Sequence, residues 1–199
     1  MRLVLVSGFL GSGKTTLVTA MARQLIEIYK QKVILIVNDV GNIGIDSQLM
    51  KKLSTDVYEL FGGCICCQLG NDLLTLLEEI TSKYSVELVL MEASGVAEPD
   101  KIIETIQEYG SKFLPIKVIS LVDATRWFNM RKALTPLLTS QVSTADLVLV
   151  NKIDKTDTEV IAKVCQDVRD LGAQGKIITL SAFQEDEVKK ITEVINYEW

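Results

Sequence analysis

The chain has 199 residues, 48% of them hydrophobic but only 6% aromatic, and 21 Lys and Arg against 26 Asp and Glu give a net charge of −5. That length suits one α/β domain with a substantial core, and an aliphatic-rich, aromatic-poor composition suits a parallel sheet covered by helices. The basic residues are scattered, which argues against a nucleic-acid partner because phosphate neutralisation needs clustered Lys and Arg, and no apolar run is long enough to span a membrane.

The apolar run Leu3-Val4-Leu5-Val6 predicts a first strand over residues 2–7. It is too short for the apolar core of a signal peptide, so a cytoplasmic protein is expected. The strand leads into Gly8-Phe9-Leu10-Gly11-Ser12-Gly13-Lys14-Thr15-Thr16, which fits G-x-x-x-x-G-K-[ST]. A strand, a glycine-rich turn and a helix over 13–30 make a phosphate cradle. The glycines let backbone N–H groups converge on phosphate oxygens, and the helix N-terminus adds partial positive charge. Gly11, Ser12, Gly13, Lys14, Thr15 and Thr16 are the candidate nucleotide ligands, with Lys14 reaching the β/γ-phosphates and the Thr15 hydroxyl binding Mg²⁺.

A second strand is expected over 33–37, followed by the loop Asn38-Asp39-Val40-Gly41-Asn42-Ile43-Gly44-Ile45-Asp46. A third strand over 56–60 precedes Gly62-Gly63-Cys64-Ile65-Cys66-Cys67 and a helix over 70–83. The chain has no histidine and four cysteines, three of them in this cluster. Any bound metal must therefore be held by Cys, Asp, Glu, backbone or water. In a reducing compartment a cluster this tight points to a metal or to redox chemistry rather than to a disulfide framework. Thiolates beside a helix N-terminus ligate readily at neutral pH, and Zn²⁺ or Cu⁺ accepts them. A redox-sensing vicinal pair and buried packing cysteines are the other readings. Cys165 is read as a core residue of a later helix.

The fourth strand, over 86–91, runs into Glu92-Ala93-Ser94-Gly95-Val96-Ala97-Glu98-Pro99 and a helix over 99–109. The loops after strands two and four are suited to sensing a γ-phosphate. Glu92 is placed to hold Mg²⁺ through water, Gly95 to offer its N–H to the γ-phosphate, and Asp39 to contact Mg²⁺ or position the attacking water. Lys14, Asp39 and Glu92 are thus the candidate catalytic groups. Phosphoryl transfer asks mainly for positioning and charge neutralisation, so the missing histidine is no obstacle. Neither loop holds an arginine, and Arg126 is the nearest downstream, so slow unassisted hydrolysis is expected.

Further strands are expected over 116–122, 146–150 and 176–180, with helices over 125–134, 156–171 and 184–196. Strand six ends in Asn151-Lys152-Ile153-Asp154. An N-K-x-D at a strand's carboxyl end lets Asp154 accept hydrogens from N1 and N2 of guanine, and a buried carboxylate left unpaired by adenine rejects it. The Lys152 stem can cover the nucleotide, Asn151 can tie this loop to the glycine-rich turn, and Ser181-Ala182 would contact the other edge of the base. GTP and GDP are therefore the expected ligands. The alternation predicts a P-loop NTPase of α/β class, a three-layer α/β/α sandwich around a mostly parallel sheet of about seven strands. Every motif then opens on one face, beyond the strands' carboxyl ends.

In order and spacing, GFLGSGKTT, VNDVGNIGID, GGCICC, MEASGVAEP and NKID resemble the CobW-like metallochaperone GTPases, relatives of the urease and hydrogenase nickel-insertion GTPases. The resemblance spans about residues 3–154. It implies a GTPase that binds a transition metal, commonly zinc or cobalt, and hands it to a client metalloprotein, with Cys66 and Cys67 as ligands and Cys64 as a third. It also implies a GTP-favoured homodimer. The first loop departs from the family's usual N-E-F-G-E, with Asn42, a neutral and weaker donor, at the second glutamate. Many relatives carry a C-terminal client domain and a histidine-rich stretch. Residues 1–199 hold neither, so a single GTPase domain is expected. A GTP-dependent activator of a metal- or corrinoid-dependent enzyme, with a structural or redox cysteine cluster, is the second reading. A P-loop kinase of a small metabolite is the third.

Overall fold

Among the described residues seven short strands, five of them buried along nearly their whole length, set the frame. The computed structural model describes residues 1–37, 57–59, 71–109 and 115–199. The strands are β1 (Arg2–Gly8), β2 (Val33–Val37), β3 (Val57–Glu59), β4 (Leu88–Glu92), β5 (Ile116–Asp123), β6 (Leu147–Asn151) and β7 (Lys176–Leu180). They lie side by side in the order β3-β2-β4-β1-β5-β6-β7, and every neighbouring pair is parallel. Strands sandwiched on both faces must be apolar on both. β1, β2, β4, β5 and β6 obey this, while the edge strand β7 is half exposed.

Period-two alternation sorts their side chains into two cores. Val4 and Val6, with Leu35, Leu90, Ile119 and Leu149, face α1 (Lys14–Glu27) and α7 (Glu185–Tyr197). Leu3 and Leu5, with Ile36, Met91, Val122 and Val150, face the opposite helices. These are α2 (Asn71–Lys83), α3 (Pro99–Tyr109), α4 (Trp127–Ala133), α5 (Thr135–Ser143) and α6 (Thr158–Asp170). The result is the expected three-layer α/β/α sandwich. Residues 180–199 complete one of the cores: Val188, Ile191 and Ile195 are fully buried. Thr192 donates to Gln24 Oε1 at 2.8 Å and Gln24 donates to the Glu185 carbonyl at 3.2 Å, a buried polar bridge that fixes α7 on α1.

Two differences from the sequence reading have physical causes. The helix expected over 125–134 is α4 alone, and α5 follows it directly, with Pro136 in its first turn where the missing N–H costs nothing. Its buried face is Leu138, Gln141 and Val142, so a polar residue interrupts the apolar period that would have revealed it. Gln141 is buried because its amide donates to the Ala97 carbonyl at 3.2 Å, in the loop after β4. The first helix also stops at Glu27, short of the expected residue 30, where Lys30 turns to positive φ. Cys165 is half-buried against the core, and burial pushes its thiol pKa up. Among the described residues no helix is long and apolar enough to cross a membrane.

Candidate nucleotide site at the carboxyl edge of the sheet

Parallel pairing brings all strand ends to one edge, and the register aligns the residues that matter. Val6 lies opposite Glu92, Gly8 opposite Leu121, and Asp123 opposite Asn151. Over this edge opens a cleft of about 480 Å³. Lys14, Thr15, Thr16, Glu92, Ser94 and Gly95 line one end of it. Asn151, Lys152, Lys155, Ala182 and Phe183 line the other.

The turn after β1 needs its glycines. Gly8, Gly11 and Gly13 all have positive φ, of 135°, 74° and 105°. A Cβ on Gly8 would lie 2.3 Å from the Leu121 carbonyl oxygen, and one on Gly13 would lie 2.5 Å from Asn151 Nδ2. Gly13 caps α1 without a side chain, leaving the first amides of the helix aimed at the cleft. Lys14 is buried, with its ammonium 3.4 Å from the Phe9 carbonyl. Burial lowers its pKa, and the charge of Glu92 opposes that fall. The Thr15 hydroxyl donates to Glu92 Oε1 at 2.9 Å, and Glu92 itself is 7% exposed. An oxygen-only pair of hydroxyl and buried carboxylate beside a phosphate cradle fits Mg²⁺, a hard cation that takes a few protein oxygens plus phosphate oxygens. Ser12 lies beneath this surface and does not line the cleft; its buried hydroxyl lacks a hydrogen-bond partner among the described residues.

Asn151 is the tie between loops. Its amide donates to the Ser12 carbonyl at 2.8 Å and its oxygen accepts from the Ala182 N–H at 2.9 Å, so one side chain joins the turns after β1, β6 and β7. Lys152 adopts positive φ, 66°, which is uncommon for a residue with a Cβ. Its ammonium is fixed at 2.6 Å from the Gly11 carbonyl and 2.7 Å from Asp123 Oδ2. Asp154 is exposed in a short 3₁₀ turn, Ile153–Lys155, and is not part of the cleft wall. Ser181 lies beside the cleft, its N–H donating to Glu187 in the first turn of α7. The loop after β4 presses on the cradle: a Cβ on Gly95 would lie 2.7 Å from the Leu10 nitrogen. Asp39, Asn42, Cys64, Cys66 and Cys67 lie outside the described residues, and among those described no group of three or more Cys, Asp or Glu could hold a metal.

Sequence reasoning missed Asp123. It ends β5 and is fully buried, with both carboxylate oxygens engaged. Thr125 donates its N–H and hydroxyl to Oδ1 at 3.0 and 2.6 Å, while Arg126 Nε and Lys152 Nζ donate to Oδ2 at 2.8 and 2.7 Å. Arg126 also reaches the Leu10 carbonyl at 2.8 Å. A single carboxylate therefore anchors two cations that grip successive carbonyls of the cradle. The available signal was an aspartate closing a strand that ends in the apolar pair Leu121-Val122, at the same edge as the other motifs.

The family description "CobW/HypB/UreG, nucleotide-binding domain" matches residues 2–179. The chain belongs to this family. Among curated relatives it is 28% identical to the zinc chaperone CobW of Pseudomonas aeruginosa, over 89% of this chain and 56% of that protein. It is 34% identical to the zinc chaperone YjiA of Escherichia coli, over 75% of this chain and 48% of the relative. The zinc-regulated GTPase metalloprotein activator 1 of Dictyostelium discoideum is 25% identical over 96% of this chain and 47% of its own length. The chain spans about half the length of the curated relatives it matches. Family members of known structure share the fold. A zinc-bound triple mutant of the YjiA GTPase superposes with a TM-score of 0.68 at 24% identity, over 90% of this chain and 57% of that one. The hydrogenase maturation factor HypB of Archaeoglobus fulgidus does so at 0.69 and 16%, over 98% and 89%.

Asp123 also makes a pH prediction. Burial alone would raise its pKa, but hydrogen bonds from Lys152, Thr125 and Arg126, with the charge of Lys152, outweigh this and hold it below the ordinary aspartate value. A depressed carboxyl stabilises the fold above its unfolded-state pKa, and that stability is lost as pH falls through the folded value. Asp123→Asn should therefore cost roughly 1–3 kcal/mol at neutral pH, and the gap from wild type should close below about pH 4. Urea unfolding followed through the buried Trp127 measures both, and a gap independent of pH refutes the charge role.

Proposed function

We propose that this chain is the GTP-hydrolysing domain of a metallochaperone, which binds a transition metal at Cys64, Cys66 and Cys67 and passes it to a client metalloprotein. The observation that supports it most is the joining of two motifs in one cleft. A cradle built on Gly13, Lys14 and Thr15 faces, through the Asn151 amide, the loop that carries Asp154. Family membership and relatives named as zinc chaperones favour zinc over cobalt.

In this reading the backbone N–H groups of Gly11, Gly13, Lys14, Thr15 and Thr16 wrap the β-phosphate, while that of Ser12 donates to the Phe9 carbonyl at 3.1 Å. The Lys14 ammonium offsets charge on the β/γ bridge, an interaction that strengthens as charge builds on the leaving oxygen. Thr15 and Glu92 would hold Mg²⁺, which when bound neutralises phosphate charge. Gly95 offers its N–H to the γ-phosphate, and Asp39 orients the attacking water. At the base end, the pinned Lys152 lays its stem along the nucleotide, Asp154 pairs with N1 and N2 of guanine, and the segment Ser181-Ala182 bounds the far edge. The chain enters the cysteine segment from β3, which ends at the same edge of the sheet as β4, the strand that leads to Gly95. The second reading, a GTP-dependent activator whose cysteines are structural or redox-active, is favoured by the name of the Dictyostelium relative.

Base preference follows from Asp154. GTP should bind at least ~100-fold tighter than ATP, because adenine seated over the exposed Asp154 carboxylate would cover it without pairing it, and Asp154→Asn should move preference toward xanthosine triphosphate. Competition titrations that find equal affinity for ATP and GTP would remove the guanine assignment.

Lys14 links binding to protons. Its pKa is lowered in the free protein, chiefly by burial, and a polyphosphate beside it must raise it again. Between the two values binding takes up a proton, so GDP affinity falls as pH rises through the lower one. Calorimetry over a pH series running up to the ordinary lysine value of 10.5, in two buffers of different ionisation enthalpy at each step, should show this uptake, and Lys14→Arg, always charged, should not. No uptake by the wild type anywhere in that series contradicts the role.

The chaperone cycle itself requires coupling. Metal affinity should differ by about 5- to 150-fold between GDP and a GTP analogue, the usual range for two linked sites. Cys66→Ser with Cys67→Ser should abolish that metal binding while leaving GTP affinity within a few fold. A double mutant that holds zinc as tightly rules out the cysteine site, and identical affinity in both nucleotide states transfers support to the activator reading.

A further inference from the structure

The base end of the cleft carries one residue that the readings above leave unused. Phe183 follows Ser181-Ala182, lines the cleft, and leaves 73% of its surface exposed. A large apolar ring held open to water forgoes the hydrophobic stabilisation that covering it would give. Its position is nonetheless fixed. The Ala182 N–H before it is tied to Asn151, and the Gln184 N–H after it donates to the Ser181 carbonyl at 2.9 Å. The Lys155 ammonium lies over its face, 5.7 Å from the centroid, a cation–π contact that orients the ring. Lys155 lines the same end of the cleft. Lys152, which also lines the cleft, cannot swing away, because its ammonium is held by Gly11 and Asp123.

We infer that Phe183 is a stacking surface for the purine, so that the base is held between the Lys152 stem and this ring. The inference rests on the nucleotide reading above. It deepens that reading by assigning the recognition of the base's face, as distinct from its edge, to this residue. Stacking needs a flat π surface and carries no preference between purines, since every base has one. Phe183 thus sets how tightly a purine nucleotide is held, while choice of guanine stays with Asp154.

The test separates base from phosphate. Phe183→Ala changes an exposed side chain, so the fold should survive, and thermal unfolding checks it. GDP affinity should fall about 5- to 150-fold, the range of base–aromatic stacking, while inorganic triphosphate should bind as it does to wild type. ATP, however weak, should lose a similar factor, because its base stacks too. Phe183→Trp should restore GDP affinity, and its added fluorescence should change with GDP but not with triphosphate. If Phe183→Ala binds GDP within twofold of wild type, or loses triphosphate affinity equally, the inference is overturned. A wild type that binds GTP and ATP equally defeats the guanine assignment alone, provided Phe183→Ala still weakens both. A wild type that binds no nucleotide defeats both proposals.

Discussion

The Asn151 amide is the fastening on which the site depends. It spends a donor on Ser12 and an acceptor on Ala182, and both partners are backbone groups in turns that follow different strands. A buried amide must find partners or cost free energy, so satisfying it forces the three turns into one arrangement. The requirement runs backwards into the sequence. Gly13 must lack a side chain because Asn151 Nδ2 occupies the space of its Cβ. Asn151 must close β6 because its ladder partner is Asp123, the other organising group.

Asp123 performs the same service with charge. Two cations converge on it, and each reaches beyond it to a carbonyl of the cradle, Arg126 to Leu10 and Lys152 to Gly11. Burying a carboxylate is costly unless it is fully paired, and four donors meet that condition here. The side chains that grip the cradle are thus themselves held by a group with no freedom to move. Positioning of this kind is what phosphoryl transfer asks of a protein.

Much of this was legible in the chain because the underlying signals are local. Short runs rich in aliphatic residues made the seven described strands legible to within a few residues, since a parallel sheet must be apolar on both faces. The glycine-rich turn was legible because few backbones other than a phosphate cradle need that spacing. What stayed hidden depends on distant partners. α5 escaped because Gln141 sits on its buried face, and the carbonyls of Ala97 and Gly95, far away in sequence, make that tolerable. Asp123 looked like an ordinary strand terminus, since nothing nearby announces that Lys152 and Arg126 meet there. The same limit applies to Ser181, whose N–H turns to Glu187 in the following helix.

The loop after β4 shows how these restraints bear on switching. On one side Gly95 is pressed against Leu10, with no room for even a methyl group. On the other, the Ala97 carbonyl is held by Gln141 of α5, and Asp100 at the start of α3 accepts from Ser140 on the same helix at 2.9 Å. Movement at Gly95 therefore cannot be local. It must displace Leu10 in the cradle, or break the grip of α5, or carry α5 with it. Close-packed elements shift between discrete arrangements rather than deforming smoothly. A nucleotide biases such a pair of arrangements only as far as it contacts them unequally, and in the proposed function Gly95, between the cradle and α5, is where that unequal contact would fall.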